Sequence, residues 1–235
     1  EAGTPLVSVS CRYDAAAATF SLTLEQTTAP TPGQPVKQPR HIPLSLALIL
    51  DNGQIAEPQA VEGGEYRNGV LHLTERNQTF SFSGISSRPV LSINRGFSAP
   101  VNIEARRDPA DLVFLAARDD DPFARYEAMQ GLVLQHLVAA VSGQLDDAAR
   151  AQGRAAIGQA FGAVIVDPAL DDLMRGELMI LPAETYIAEQ LPVSDPGAIH
   201  AEREALKAWL GRELAGPLKA LHDRAIAVPY SRDAA

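Results

Sequence analysis

The sequence is poor in cysteine, in aromatic residues and in long apolar runs, and each shortage excludes a class of protein. Cys11 is the only cysteine among 235 residues, so no internal disulfide is possible and a reducing, cytoplasmic setting is expected. No apolar run approaches the roughly 20 residues that a membrane-spanning helix needs. Aromatic residues make up only 6%, with Trp209 the single tryptophan, which argues against a surface that stacks sugars or nucleobases.

Positive charge is also scarce, and charge is divided unevenly along the chain. The formal net charge is −9, which argues against nucleic acid and anionic membranes as partners, because both favour clustered Lys and Arg. Residues 1–105 carry 7 Lys and Arg against 9 Asp and Glu, whereas residues 106–235 carry 13 against 20. This shift predicts two domains, a first over residues 1–105 and a second over residues 106–235.

The first half alternates between apolar and polar residues with a period of two, which is typical of strands with one buried face. Asp51-Asn52-Gly53 and Asn68-Gly69 between the runs suit tight hairpin turns. Seven or so short strands at this spacing predict an antiparallel, immunoglobulin-like β-sandwich. Its core is expected to include Leu22, Leu24, Leu46, Leu48, Phe80 and Phe82.

The second half has a helical period and predicts an all-α segment. Asp121-Pro122 is a strong helix start, because Asp caps free amides and Pro fits the first turn. Apolar residues follow it at three- and four-residue steps, as on one face of a helix. Asp167-Pro168 and Asp195-Pro196 repeat the signal and predict two further helix starts. The change from strands to helices is expected near residues 106–120.

The histidines offer no catalytic or metal-binding pattern. The five histidines are His41, His72, His136, His200 and His222. None of them belongs to a His-Glu-x-x-His pair, the spacing that places two imidazoles around zinc. His200 and Glu204 lie four residues apart on a predicted helix, and we interpret them as a surface pair. His136 lies near an apolar stripe and is interpreted as a boundary residue with its polar groups satisfied.

Other candidate groups also favour a structural interpretation. The acidic run Asp119-Asp120-Asp121 lacks the alternating spacing of a calcium loop and stands where a helix is predicted to begin. Cys11 lies in an apolar strand and is expected to be a buried, inert thiol. No nucleophile elbow or phosphate loop occurs in the sequence. The residues therefore indicate no catalytic, cofactor-binding or metal-binding site in this chain.

Several motifs go beyond composition. Ala2-Gly3-Thr4-Pro5 opens the chain, and residues 37–44 (KQPRHIPL) lead into a long alternating strand. Residues 78–82 (QTFSF) and 97–101 (FSAPV) follow, with Arg88-Pro89-Val90 between them, and residues 121–130 (DPFARYEAMQ) open the helical half. In this order the motifs resemble the bacterial aminopeptidase N family, which has Trp where this chain has Tyr126.

The resemblance implies both a fold and a role. In this family a thermolysin-like catalytic domain, which holds zinc through His-Glu-x-x-His and a distal Glu, precedes a small β-sandwich and a large helical domain. This chain resembles the sandwich and the beginning of the helical domain, so no catalytic or zinc-binding residue is carried over onto it. The sequence also lacks an initiating Met, and we expect it to be a piece of a longer protein.

The parent would be a zinc metallo-aminopeptidase of the alanyl aminopeptidase type, which removes N-terminal amino acids from peptides. This part would brace and cover the active site, with the catalytic domain and the peptide substrates as its partners. If the helical domain continues beyond residue 235, part of an apolar stripe loses its cover, and self-association through the last helices is expected. The residues concerned are Ile199, Leu206, Leu210, Leu214, Leu218 and Leu221.

Two alternatives stay open on the sequence. One is a free-standing sandwich-plus-helices module that binds a protein partner and has no enzymatic role. The other is a helical-repeat scaffold, which is disfavoured because no fixed repeat period is visible.

Overall fold

The computed structural model describes residues 2–227. The first half forms two β-sheets, as the period-two pattern predicts. The strands are β1 Leu6–Asp14, β2 Thr19–Thr27, β3 Ile42–Ile49, β4 Ala60–Glu62, β5 Tyr66–Arg67, β6 Val70–Leu73, β7 Asn77–Ser83, β8 Val90–Ile93 and β9 Asn102–Ala105. One sheet has the order β4-β7-β2-β1-β9 and the other the order β5-β6-β3-β8.

The core of the sandwich lies between the two sheets. Leu22, Leu24, Phe80 and Phe82 come from the five-stranded sheet, and they join Leu46, Leu48 and others from the four-stranded sheet in one buried cluster. All six residues that the sequence predicted for this core are at most 4% exposed. The alternation was therefore sufficient to predict which face of β2, β3 and β7 is buried.

The strand pairings are antiparallel with one exception at the edge of the larger sheet. There β9 pairs in parallel with β1, from Leu6 opposite Asn102 to Val9 opposite Ala105. The predicted hairpin at Asn68-Gly69 is confirmed, because both residues have positive φ angles, 53° and 77°. An immunoglobulin-like β-sandwich is therefore the fold of this half.

The second half is helical, as predicted. Its helices are α1 Pro109–Arg118, α2 Pro122–Val141, α3 Asp147–Val166, α4 Asp172–Leu178, α5 Glu184–Glu189, α6 Pro196–Glu213 and α7 Ala215–Ile226. The starts at Asp121-Pro122 and Asp195-Pro196 are confirmed. Helix α1 was not predicted, although Asp108-Pro109 carries the same signal and Asp108 accepts a hydrogen bond from the amide of Ala110.

The predicted helix start at Asp167-Pro168 is wrong. Helix α3 ends just before it, and the carboxylate of Asp167 accepts the amide of Ala169 in a turn. The next helix begins four residues later, where the carboxylate of Asp171 accepts the amide of Met174. In this helix Leu173 is 79% exposed.

The last two helices differ in how far they are covered. In α6 the side chains of Ile199, Leu206 and Leu210 are buried. Helix α7 has no buried residue, and Leu218 and Leu221 are only partly covered. The chain divides into two compact units between Arg125 and Tyr126, inside α2. The boundary at residue 105 stays a prediction.

Candidate functional site

The structure changes the partner assigned to His200. Its Nδ1 atom lies 2.8 Å from a carboxylate oxygen of Glu184 on α5, not next to Glu204. Glu204 instead pairs with Arg203 and Lys207 on its own helix. The predicted His200–Glu204 pair is therefore wrong, because a nearer carboxylate comes from a neighbouring helix. Both members of the His200–Glu184 pair are largely exposed, which fits a weak surface interaction.

Two histidines that the sequence left unconnected come together on the sandwich. His41 Nε2 lies 2.6 Å from His72 Nδ1, and the ring centroids are 4.9 Å apart. The antiparallel pairing of β3 with β6 causes this contact, because Pro43 is opposite His72 in the register. Within residues 2–227, however, no three His, Cys, Asp or Glu side chains converge as a metal site requires.

His136 is the one histidine on α2, and it is buried, with 8% of its surface exposed. Burial is the main cause that lowers its pKa below the ordinary value of 6.5, and the positive charges of Arg154 and Arg150 lower the pKa further. The sequence placed His136 at a boundary, whereas the structure places it inside the helical unit. A neutral imidazole is therefore favoured there.

The acidic run Asp119-Asp120-Asp121 organises the start of α2. The carboxylate of Asp121 accepts the amide of Ala124 and the amide of Gly96. Asp119 and Asp120 both accept from the guanidinium of Arg95. Each carboxylate thus has a partner within the chain, and the predicted helix-start role of this run is confirmed for Asp121.

The polar residues in the DPFARYEAMQ motif bind backbone atoms. Arg125 is 7% exposed, and its Nε donates to the carbonyl of Ala116 at 2.7 Å, near the end of α1. The side chain of Gln130 donates to the carbonyl of Ile180 at 2.8 Å. These contacts satisfy carbonyls that a helix end or loop leaves free, so the motif is explained by architecture.

The motifs of the sandwich have the same character. Buried Lys37 donates from Nζ to the carbonyl of Ala2 and to two side-chain oxygens. Gln78 accepts the amides of Thr74 and Glu75 and donates to the carbonyl of Gly63. In FSAPV, the hydroxyl of Ser98 accepts the amide of Ser45. The residues that carry the family resemblance therefore fix loops to the sheets.

A cavity of about 270 Å³ opens at the edge of the sandwich beside β1. Cys11 lies in its wall and is exposed, so the expectation of a buried thiol is wrong. Partial burial raises the pKa of the Cys11 thiol above its ordinary value, while the guanidinium of Arg88 opposes the shift. Arg88 is itself bound by Asp111 through two hydrogen bonds of 2.9 and 2.7 Å.

Sequence reasoning missed this cavity, although the only cysteine lies in its wall. Whether Cys11 is covered depends on how the elements opposite its strand pack, and no local pattern gives that packing. Within residues 2–227, no helix is long and apolar enough to cross a membrane.

Comparisons with known proteins account for the whole chain. A family model described as a domain of unknown function (DUF3458) with an Ig-like fold matches residues 3–106. A second, DUF3458_C, described as ARM repeats, matches residues 109–235. The family description thus includes helical repeats, although no fixed repeat period is visible in the sequence.

Three curated proteins that are similar to this chain are aminopeptidases. Aminopeptidase N of Escherichia coli (strain K12) is 34% identical over 228 residues, which cover 95% of this chain and 25% of that protein. Aminopeptidase N of Haemophilus influenzae is 32% identical over 91% of this chain and 24% of its own length. Aminopeptidase N of Caulobacter vibrioides is 35% identical over 100% of this chain and 26% of its own length. The chain thus spans about a quarter of these relatives.

A solved structure shows the same fold at lower identity. Aminopeptidase A of Legionella pneumophila, crystallised in complex with aspartic acid, aligns with a TM-score of 0.77 at 22% identity. The alignment covers 99% of this chain and 25% of that protein. The chain therefore belongs to the DUF3458 family, in which an Ig-like domain is followed by an ARM-repeat domain, and it is homologous to about a quarter of aminopeptidase N.

Proposed function

We propose that this chain is a non-catalytic part of a zinc aminopeptidase of the aminopeptidase N type. The observation that carries the proposal is the coverage: relatives 32–35% identical match 91–100% of this chain but only 24–26% of their own length. A whole enzyme of this kind has room for a catalytic domain outside the matched region. The parent reaction would be removal of N-terminal amino acids from peptides.

The residues described here do not fit a zinc ion. A catalytic zinc site takes three protein ligands, and no three His, Cys, Asp or Glu side chains converge between residues 2 and 227. The two closest imidazoles, His41 and His72, are hydrogen-bonded to each other. We therefore assign zinc to the remainder of the parent and derive no catalytic step from this chain.

The role of this part in the parent would be to brace and cover the active site. Its motif residues support a bracing role, because the side chains of Arg125 and Gln130 donate hydrogen bonds to backbone carbonyls and so hold the backbone in place. The helical unit also exposes large apolar side chains that are available for a further surface, among them Leu173 at 79% and Val193 at 83%. The partners would be the catalytic domain and, through it, peptide substrates. The single cysteine supports a cytoplasmic location.

On its own, the chain would self-associate through its last helices. Helix α7 has no buried residue, and Ile226 at its end is 67% exposed. Apolar surface of this kind tends to bind another apolar surface. Sedimentation velocity should show concentration-dependent dimers, and Leu218→Glu should shift them to monomers. A chain that sediments as a monomer at every concentration would refute self-association.

The non-catalytic assignment is tested by assaying the purified chain against alanine and lysine anilides, with and without added zinc. No release of chromophore is expected, because no three His, Cys, Asp or Glu side chains converge within residues 2–227 as a catalytic zinc site requires. The overturning result is zinc-dependent turnover that is lost in His200→Ala or in His41→Ala. Wild-type protein treated with a chelator is the matched control for contaminating peptidases.

A further inference from the structure

The cavity beside β1 lies where the pairing of β1 with the edge strand β9 has ended. Val7 is fully buried in the core, and side chains alternate along a strand, so Val9 and Cys11 share its inward face. Pairing with β9 stops at Val9 opposite Ala105. Beyond that point β1 borders the cavity, and Cys11 on its inward face is exposed.

The wall of this cavity combines apolar surface with a concentration of positive charge. Phe20, Leu91 and Leu115 contribute apolar side chains. Among the charged residues of the wall, four are arginines and one is an aspartate: Arg12, Arg88, Arg106, Arg107 and Asp111. Asp108 lies near Arg88 as well, but its carboxylate caps helix α1. In a chain of net charge −9, this excess of arginine marks a local site for an anion.

We propose that this cavity binds a small organic carboxylate whose body is apolar. Arginine presents a planar fork that matches a carboxylate, and Arg88 already holds the carboxylate of Asp111 in that way, at 2.9 and 2.7 Å. The apolar wall gives no advantage to inorganic phosphate, whereas an aliphatic or aromatic body would be covered by it. The volume of about 270 Å³ is just below the roughly 300–1,000 Å³ of drug-sized ligand sites, so the ligand is small.

Cys11 provides a reporter for this site, because it is the only thiol of the chain and lies in the cavity wall. The experiment measures the rate at which iodoacetamide alkylates Cys11 in the full chain, at constant pH and low salt. The probe is 4-phenylbutyrate, and its neutral counterpart is 4-phenylbutanol. We expect 4-phenylbutyrate to slow alkylation in a saturable way, and 4-phenylbutanol and inorganic phosphate to protect far less. Added salt should weaken the protection.

Two double variants separate the cavity from general charge. Arg12→Gln with Arg106→Gln should weaken binding of 4-phenylbutyrate about threefold to tenfold, as loss of partly exposed ion pairs does. Arg67→Gln with Arg118→Gln removes the same charge from exposed positions outside the cavity wall and should leave protection unchanged. Equal alkylation rates without ligand establish that each variant keeps the native site.

A third variant tests the volume directly. Ala105 lies opposite Val9 in the sheet and lines the cavity, so Ala105→Leu should fill part of it and abolish protection. The proposal is overturned if 4-phenylbutanol or phosphate protects as well as 4-phenylbutyrate. It is also overturned if no saturable protection occurs, or if the cavity and control variants bind alike. None of these results depends on aminopeptidase activity, so they test the proposed binding site independently of the proposed function.

Discussion

Arg175 on α4 should contribute more to the stability of the helical unit than any exposed charge does. Its side chain is 4% exposed, and its two terminal nitrogens donate to four backbone carbonyls where α3 ends. The acceptors are the carbonyls of Val164, Ile165, Asp167 and Leu170, at distances of 2.6–3.0 Å. The last carbonyls of a helix have no partner within it, so Arg175 acts as the cap of α3.

The substitution Arg175→Met keeps an apolar stem of similar length and removes all of these donors. The hydrogen bonds to Val164 and Ile165 are buried, and a buried carbonyl that loses its partner costs about 1–3 kcal/mol. With the two outer carbonyls partly rescued by water, we expect the free energy of unfolding to fall by about 3–5 kcal/mol. That is a large fraction of the roughly 5–15 kcal/mol that stabilises an ordinary domain.

The assay is urea unfolding followed by the fluorescence of Trp209, which is the only tryptophan and lies on α6 in the same unit. The matched control is Arg212→Met, because Arg212 is an exposed arginine on α6. Its effect should stay within about 0.5 kcal/mol. The reasoning is refuted if Arg175→Met unfolds within about 1 kcal/mol of wild type, or if both variants lose the same amount.

Three further outcomes follow from single side chains. Gly153→Ala should destabilise the chain by about 1–3 kcal/mol, because the new Cβ would lie 2.4 Å from Nδ1 of buried His136. Gly211→Ala has open space around the new Cβ and should stabilise its helix by about 0.5–1 kcal/mol. Equal effects of the two variants on urea unfolding would contradict this reasoning. The pKa of His136 is lowered in the folded state, so as pH falls this imidazole is protonated in the unfolded chain before it is protonated in the folded chain. The free energy of unfolding should therefore decrease as pH drops below 6.5, by at most about 1.4 kcal/mol per pH unit from this group. His136→Gln should lose that slope and His222→Gln should keep it, and identical pH profiles would count against it. Native Cys11 should react fully with a thiol reagent without denaturant, increasingly as pH rises, and a thiol that reacts only in urea would show that the cavity is closed.

Much of the sandwich could be predicted from sequence because a period of two leaves little freedom. Phe80 and Phe82 lie on one face of β7, and burying one requires burying the other. The hairpin at Asn68-Gly69 was equally determined, since positive φ at two consecutive residues favours Asn and Gly. Local chemistry and tertiary packing agree at these positions.

The failures occur where identical local signals meet different surroundings. Asp108, Asp121, Asp167 and Asp195 all precede proline, but only Asp167 fails to start a helix. There the chain turns, and Arg175 donates to the carbonyls of Val164 and Ile165 at the end of the preceding helix. These contacts join residues ten or more positions apart, and a local pattern does not contain them.

Contacts between residues that are far apart in the chain also could not be predicted from the sequence. His41 and His72 are 31 residues apart, and they meet only through the register of β3 with β6. The glutamate beside His200 is Glu184 on α5, which the packing of two helices brings close. The cavity is lined by residues from several elements far apart in the chain, so Cys11 could be placed on a strand but not at an opening.

The most direct test of the central claim uses the remaining three quarters of the proposed parent aminopeptidase, expressed without this region and assayed with alanine anilide. The account predicts that this remainder binds zinc but has low activity, and that adding the purified chain restores both activity and resistance to proteolysis. A helical-surface variant, Leu173→Asp with Val193→Asp, should restore less than Arg118→Gln. A remainder that is fully active and stable without this chain, and unchanged when the chain is added, would contradict the proposal that this region braces and covers the active site.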